Sequence, residues 1–142
     1  MTRIARGLGF VGRIEYRHVL SRAGGAQFGL GPAPSSDLLV VYADAFERDA
    51  DPEDFALEAI IAHERGHQML LRDPRLGGLM MHLSQGTEEI VASLIGSVLV
   101  SDTGNRRTLV AKAIGEAVSR GVEATHAARL VGHVRSHLEK LL

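Results

Sequence analysis

The sequence predicts a single α+β domain in which a small N-terminal sheet of about three strands is followed by about four helices. Three observations lead to this prediction. Residues 8–46 are rich in glycine, aromatic and β-branched residues, which is typical of short strands and turns. From residue 51 onward, apolar residues recur at helical spacing. The length of 142 residues suits one domain with one core, so residues 1–142 are taken as that domain.

Three segments of the first half are predicted to be strands. Residues 10–20 and 26–30 flank residues 22–25, whose Arg-Ala-Gly-Gly sequence is typical of a hairpin turn. The prolines and serines of residues 31–36 indicate a loop, because they suit neither a sheet nor a helix. Residues 38–43 then form a continuous apolar run of strand length.

The first predicted helix has clear signals at both ends. Asp51 is a typical N-cap, Pro52 suits the first helical position, and the acids that follow favour the positive end of the helix dipole. Pro74, preceded by Asp73, ends the helix. The predicted helices are residues 51–72, 87–100 and 106–120, with a fourth after Gly121.

Composition excludes several kinds of function. The net charge of −1 gives no basic surface for nucleic acid. Without cysteine there can be no disulfide, no thiolate nucleophile and no cysteine-bound metal, so a metal site would have to use His, Asp or Glu. The longest apolar stretch, residues 90–100, is too short to cross a membrane, and residues 1–13 lack the pattern of a signal peptide. We therefore expect a cytoplasmic protein that binds neither nucleic acid nor membrane.

Residues 63–67, His-Glu-Arg-Gly-His, match the pattern H-E-x-x-H. Histidines at i and i+4 project from one face of a helix and can share one Zn²⁺, and the intervening Glu64 can move protons beside the metal. The composition predicts about 0.02 accidental matches in a chain of this length. The alternative is that His63 and His67 are buried and bonded to ordinary protein groups. The apolar residues that share their face are Ala56, Ala59, Ile60, Leu70 and Leu71.

Residues 86–96 of the next helix give the motif a family context. Together with H-E-x-x-H they resemble the gluzincin branch of the zincin metallopeptidases, and most closely the thermolysin-type pattern N-E-x-x-S-D-x-x-G. Glu89 matches the ligand glutamate and Gly96 the glycine, while Ser93 stands where the family has an aspartate. These three positions share one helix face, whose small residues would let this helix lie close to the first. The resemblance covers about residues 38–100.

The resemblance implies a zincin-like fold with the H-E-x-x-H helix at its centre. It also implies one Zn²⁺ bound by His63, His67 and Glu89, with Glu64 acting as general base and then as general acid on a peptide or protein substrate. The family's aspartate orients the first histidine, so its replacement by Ser93 weakens the site unless another group takes over that task.

Three other residues compete with Glu89 as the third ligand. Glu88 is the nearest alternative, because it aligns with Ala92, Ile95 and Leu99. Either of the two adjacent glutamates could instead serve the helix dipole. Asp73 falls at the last ligand position of the metzincin pattern, but Leu70 stands where that family needs a glycine, and a regular helix carries Asp73 about 9 Å past His67. His82 follows Met80 and Met81 in a loop without a matching spacing.

Further residues have weaker candidate roles. By the same resemblance, residues 38–43 would be the sheet edge on which a substrate backbone adds as a strand, with an ordinary buried strand as the alternative. Tyr42 could stabilise an oxyanion, although strand tyrosines more often belong to the core or its rim. No role is expected for His18. The remaining histidines of the C-terminal helix indicate a solvated face, with an oxyanion-stabilising histidine or a weak second metal site as alternatives; they are His126, His133 and His137.

The function that these observations predict is zinc-dependent hydrolysis of peptide bonds. Two other classes of function stay open. One is a catalytically weak or inactive zincin-like module that keeps the metal for regulation or partner binding, since the chain is short for the family and lacks an obvious extra lobe. The other is a metal-free helical interaction protein.

Overall fold

A computed structural model describes residues 1–20, 25–49, 56–76 and 84–142 of the chain. In this part a three-stranded sheet is accompanied by six helices, which confirms the predicted α+β class. The strands are β1 (Arg13–Arg17), β2 (Ala26–Gly29) and β3 (Leu38–Tyr42). The helices are α1 (Thr2–Gly7), α2 (Ala43–Asp49), α3 (Leu57–Arg72), α4 (Gln85–Leu99), α5 (Thr103–Ser119) and α6 (Ala124–Leu141).

The strand order is β1-β3-β2, with β1 parallel and β2 antiparallel to β3. The predicted hairpin is therefore wrong, because β1 and β2 do not pair; of its predicted turn, residues 22–25, the first three lie outside the described residues. The predicted edge strand is also wrong, because residues 38–42 form the central strand. The physical reason is burial: Leu39, Val40 and Val41 are all buried, and a continuous apolar run suits a strand that is covered on both sides.

Four of the six helices correspond to predicted ones. Helix α3 begins at Leu57, after Ala56 with extended backbone, so the predicted start at residue 51 is wrong; the start signal itself lies outside the described residues. Helices α4, α5 and α6 begin within about three residues of the expected positions. The short helices α1 and α2 were not predicted. Helix α1 is held through buried Ala5, which packs in the same cluster as the sheet and α3.

Helix α3 lies between the sheet and helices α4, α5 and α6. Its N-terminal half packs with Leu39 and Val41 of the sheet, and its C-terminal half packs with α4, α5 and α6. Most of its surface is therefore covered. Leu71, predicted on the core face, is 39% exposed, whereas Gln68 is 1% exposed. Among the described helices, none combines the length and apolar character needed to cross a membrane.

The backbones of α3 and α4 approach each other closely at two glycines. A Cβ on Gly66 would lie 2.1 Å from the carbonyl oxygen of Ala92, and one on Gly96 would lie 2.9 Å from the backbone of Ala62. No side chain fits between the helices at these points. The close contact brings the first turns of α4 against the middle of α3, where the two motif histidines lie.

Candidate metal centre

The side chains of His63, His67 and Glu89 converge between α3 and α4. The Nε2 atoms of the two imidazoles are 3.1 Å apart. Glu89 places Oε2 2.9 Å from Nε2 of His63 and Oε1 3.3 Å from Nε2 of His67. All three residues thus offer one ligand atom to a common point, and these atoms lie within 4.8 Å of one another. The i, i+4 spacing of the two histidines and the glycine contact between the helices place them there.

By chemistry and by spacing, the three groups could hold a zinc ion. Ligand atoms at 2.0–2.1 Å from a tetrahedral zinc ion lie about 3.3 Å from one another. The two Nε2 atoms are 3.1 Å apart, and different oxygens of Glu89 lie 2.9 Å and 3.3 Å from them. Two imidazoles and one carboxylate are also a ligand set that leaves a fourth position for water. His63 is buried, while the side chain of Glu89 is 41% exposed, so the centre opens to solvent on the side of α4.

The outer nitrogens of both imidazoles have partners on α4. Ser93 Oγ lies 2.7 Å from Nδ1 of His63 in a buried contact. Glu88 Oε1 lies 3.1 Å from Nδ1 of His67. A carboxylate can only accept, so Glu88 favours a proton on Nδ1 of His67 and leaves Nε2 facing inward. Glu88, the alternative third ligand, therefore contacts the outer nitrogen of His67, and Ser93 contacts the outer nitrogen of His63.

The electrostatic environment separates the two histidines. Burial lowers the pKa of His63 to about 4, which keeps that imidazole neutral. Burial also acts to lower the pKa of His67, but the hydrogen bond to Glu89 and the charge of Glu64 outweigh it and raise that pKa to about 9. Hydrogen bonds from both histidines hold the pKa of Glu89 well below its usual range. The environment therefore favours a neutral His63 beside a charged pair of His67 and Glu89.

Glu64 lies beside these groups and has a perturbed pKa. Burial raises the pKa of Glu64 to about 7, and the negative charge of Glu89 adds to this effect. A backbone hydrogen bond from Phe28 of β2 acts in the opposite direction, which places the edge strand β2 against the carboxylate. A carboxyl group that titrates near neutral pH can both accept and return a proton under cellular conditions.

The other predicted candidates lie elsewhere. Asp73 follows α3 and accepts hydrogen bonds from Arg75, and His82 lies outside the described residues. Tyr42 donates to Gln27, so its hydroxyl is engaged across the sheet. The histidines of α6 are all exposed or partly exposed, as the solvated-face prediction expects, and His18 contacts the hydroxyl of Tyr16; the α6 residues are His126, His133 and His137.

Sequence reasoning missed two contributors to the site. Lys112 of α5 lies near enough for its charge to lower the pKa of both His63 and Glu64. The backbone of Phe28 reaches Glu64 from the sheet. Neither residue belongs to a motif, so no signal in the sequence marks them. In comparisons with protein-family models, curated proteins and solved structures, the chain matches none of them.

Proposed function

We propose that this chain hydrolyses peptide bonds with the help of one zinc ion held by His63, His67 and Glu89. The observation that carries the proposal is the convergence of two Nε2 atoms and one carboxylate within 2.9–3.3 Å, beside Glu64, a partly buried carboxyl group whose pKa is raised to about 7. We expect this activity in the cytoplasm, in keeping with a chain that has no cysteine.

The residues around the ion divide the work between binding and orientation. A bound zinc ion lowers the pKa of a coordinated water and polarises a carbonyl oxygen. Ser93 and Glu88 hold the outer nitrogens of His63 and His67, which keeps both Nε2 atoms directed at the same point. These contacts matter because metal affinity depends on how well the ligands are oriented before the metal binds.

Glu64 is the residue that moves protons in this proposal. In its ionised form it takes a proton from the attacking water, and in its protonated form it returns that proton to the nitrogen of the leaving amine. Its burial serves this task, because a carboxyl group with an ordinary pKa near 4 would give up its proton readily but would be a weak base at neutral pH.

The substrate strand is expected on β2 rather than on residues 38–43. In the described part of the chain β2 pairs with β3 on one side alone, and Phe28 joins it to Glu64. An extended peptide that pairs with the free edge of β2 would run past the catalytic carboxylate. Main-chain hydrogen bonds would then supply binding that depends little on the substrate's side chains.

The test is a comparison of Glu64→Gln with Glu58→Gln, a matched change near the start of the same helix. Cleavage of an unstructured protein such as casein is followed by mass spectrometry, and zinc content is measured in parallel. Glu64→Gln is expected to lose about 10²–10⁴-fold in rate while keeping its zinc, because it removes the proton carrier and no metal ligand. Glu58→Gln is expected to behave as wild type.

Two results would contradict the proposal. Equal rates for Glu64→Gln and wild type would remove Glu64 from the reaction. Zinc-loaded wild type that cleaves none of a broad set of peptides would instead favour the metal-binding module without catalysis, in which zinc removal abolishes the binding of a partner.

A further inference from the structure

A pocket of 350 Å³ lies along the face of α3 that is turned away from the candidate metal centre. Arg65, Gln68, Met69 and Arg72 line it at i, i+3, i+4 and i+7 spacing, so they share one helix face. At 100° per residue this face is roughly opposite to the one that carries the motif histidines. Side chains from outside α3, among them Val11, complete the walls.

Three guanidinium groups line this pocket, and two of them have a carboxylate partner. Arg72 pairs with Asp37 at 2.7 Å, and Arg75 pairs with Asp73 at 2.6 Å. Arg65 has no carboxylate within 4 Å among the residues that the structure describes. The charge of Asp73 reaches it at longer range, but that carboxylate is bound to Arg75. Within the part of the chain that the structure describes, the three guanidinium groups of the pocket therefore have two carboxylate partners.

Arg65 is fixed in position by neutral acceptors. Its Nε donates to the carbonyl oxygen of Leu8 at 3.1 Å, and its Nη1 donates to Oε1 of Gln68 at 2.7 Å. Gln68 is itself held, since its amide nitrogen donates to Asp37 and to the backbone of Val11. A guanidinium group that is already ordered loses little conformational entropy when an anion binds to it.

We propose that this pocket binds a small organic carboxylate that carries a short apolar group. The carboxylate would pair with the guanidinium of Arg65, whose planar group of N–H donors suits that geometry. The apolar part would lie against Met69 and Val11, which supply hydrophobic walls beside the charge. This site is separate from the proposed zinc site, and neither requires the other.

The first experiment supplies the carboxylate from the chain itself. Val11 is 49% exposed at the pocket, and Gln68 is bonded to its backbone alone, so its side chain can be replaced without breaking those bonds. Val11→Glu is expected to melt about 2–4 °C higher than Val11→Gln, because the glutamate balances the charge of Arg65. When each of the two Val11 changes is made separately in an Arg65→Gln background, the two proteins should have the same melting temperature. Equal melting temperatures for Val11→Glu and Val11→Gln would overturn the proposal.

The second experiment uses 4-methylpentanoate as the probe and 4-methylpentanamide as its uncharged control. Binding is followed by the NMR shift of the Arg65 side-chain N–H. Saturable binding of the carboxylate, at least tenfold tighter than the amide, is expected for wild type and for Arg107→Gln, an exposed control on α5. For Arg65→Gln, binding is followed by the backbone resonances, and this variant is expected not to bind the carboxylate. Equal binding of acid and amide, or no saturable shift, would overturn the site and leave the zinc proposal untouched, since neither readout involves hydrolysis or metal.

Discussion

At the scale of single residues, the candidate site depends on the groups that contact the outer nitrogens of the two imidazoles. Ser93 reaches the outer nitrogen of His63, and Glu88 reaches that of His67. A neutral hydroxyl thus stands where the resemblance to gluzincins leads one to expect a carboxylate. Because a hydroxyl raises the basicity of an imidazole less than a carboxylate does, we expect zinc affinity to depend on Ser93 for orientation more than for charge.

Replacement of Ser93 tests this role. Ser93→Ala is expected to weaken zinc binding about 10–100-fold, because His63 loses the contact that fixes its ring. The measurement is a competition titration against a chromogenic chelator. Ser97→Ala serves as control, since Ser97 is buried one turn later on α4 and bonds to Arg135 and Leu94 rather than to a histidine. Unchanged affinity in Ser93→Ala would show that the hydroxyl does not orient the ligand.

At the scale of elements, the contact between α3 and α4 decides whether the ligands meet. Gly66 belongs to the H-E-x-x-H motif itself, and Gly96 lies two turns after Glu89. At both positions a side chain would meet backbone of the opposite helix, which has no soft atoms to move aside. Gly66 and Gly96 therefore set the distance between the two helices, and with it the position of Glu89, although neither glycine is a proposed metal ligand.

Gly66→Ala is expected to destabilise the protein by about 1–3 kcal/mol or more, because its Cβ forces the helices apart. It should also weaken zinc binding, since Glu89 moves with α4. Gly115→Ala is the matched control: this glycine lies inside α5, and an added methyl group would have no neighbour within 4 Å, so alanine should stabilise by about 0.5–1 kcal/mol. Denaturant unfolding measures both changes. A Gly66→Ala protein as stable as wild type would contradict the contact.

At the scale of the whole molecule, one buried ion pair joins the sheet to the end of the motif helix. Asp37 precedes β3 and is fully buried, and Arg72 in the last turn of α3 contacts both of its carboxylate oxygens. The same carboxylate accepts from the backbone N–H of Gly31 and from Gln68. These bonds hold the C-terminal end of α3 against the loop between β2 and β3.

Asp37→Asn is expected to cost roughly 2–4 kcal/mol at neutral pH, somewhat less than for a fully buried pair because Arg72 retains some exposure. Burial alone would raise the pKa of Asp37, but hydrogen bonds from Arg72 and Gln68 lower it below its ordinary value of 3.8. The stabilisation is therefore complete above about pH 4 and is lost as the pH falls through the folded-state pKa. Urea unfolding across pH 2–7 measures this.

The control for the pH series is a second Asp→Asn change, at a position where the carboxylate does not form a buried ion pair. Asp102→Asn changes the N-cap of α5 to a residue that caps equally well, so its stability should match wild type at neutral pH. If Asp37→Asn and wild type differ by the same amount at pH 2.5 as at pH 7, the ionised form of Asp37 does not stabilise the fold.

Local patterns in the sequence were enough to predict the three strands and the four longer helices, but not the short helices α1 and α2 or the order of the strands. The apolar run at residues 38–42 marks a strand wherever it lies, whereas its central position depends on contacts with both β1 and β2. Turn residues at 22–25 predict a hairpin because neighbouring strands often pair, but the apolar strand β3 lies between β1 and β2. The start of α3 was misplaced since capping residues signal a helix without fixing which turn it begins in.

The candidate site was predicted to the extent that it rests on spacing. The interval of four residues between His63 and His67 places both side chains on one face of a helix. The pattern around Glu89 places this glutamate near the start of the next helix. Contributions that come from packing were not visible: Lys112 and Phe28 approach Glu64 from α5 and β2, and no spacing along the chain encodes that approach. The contact of Glu88 with the outer nitrogen of His67 was also not visible in the sequence, because it depends on how α3 and α4 pack.

The central claim is that one divalent cation binds between α3 and α4, and metal analysis tests it most directly. Wild type, Glu89→Ala and Glu88→Ala are exposed to Zn²⁺, dialysed and assayed for zinc per chain. We expect about one zinc ion in wild type, near-complete loss in Glu89→Ala, and retention with weaker affinity in Glu88→Ala. Wild type without zinc, or loss of the metal in Glu88→Ala but not in Glu89→Ala, would contradict the account.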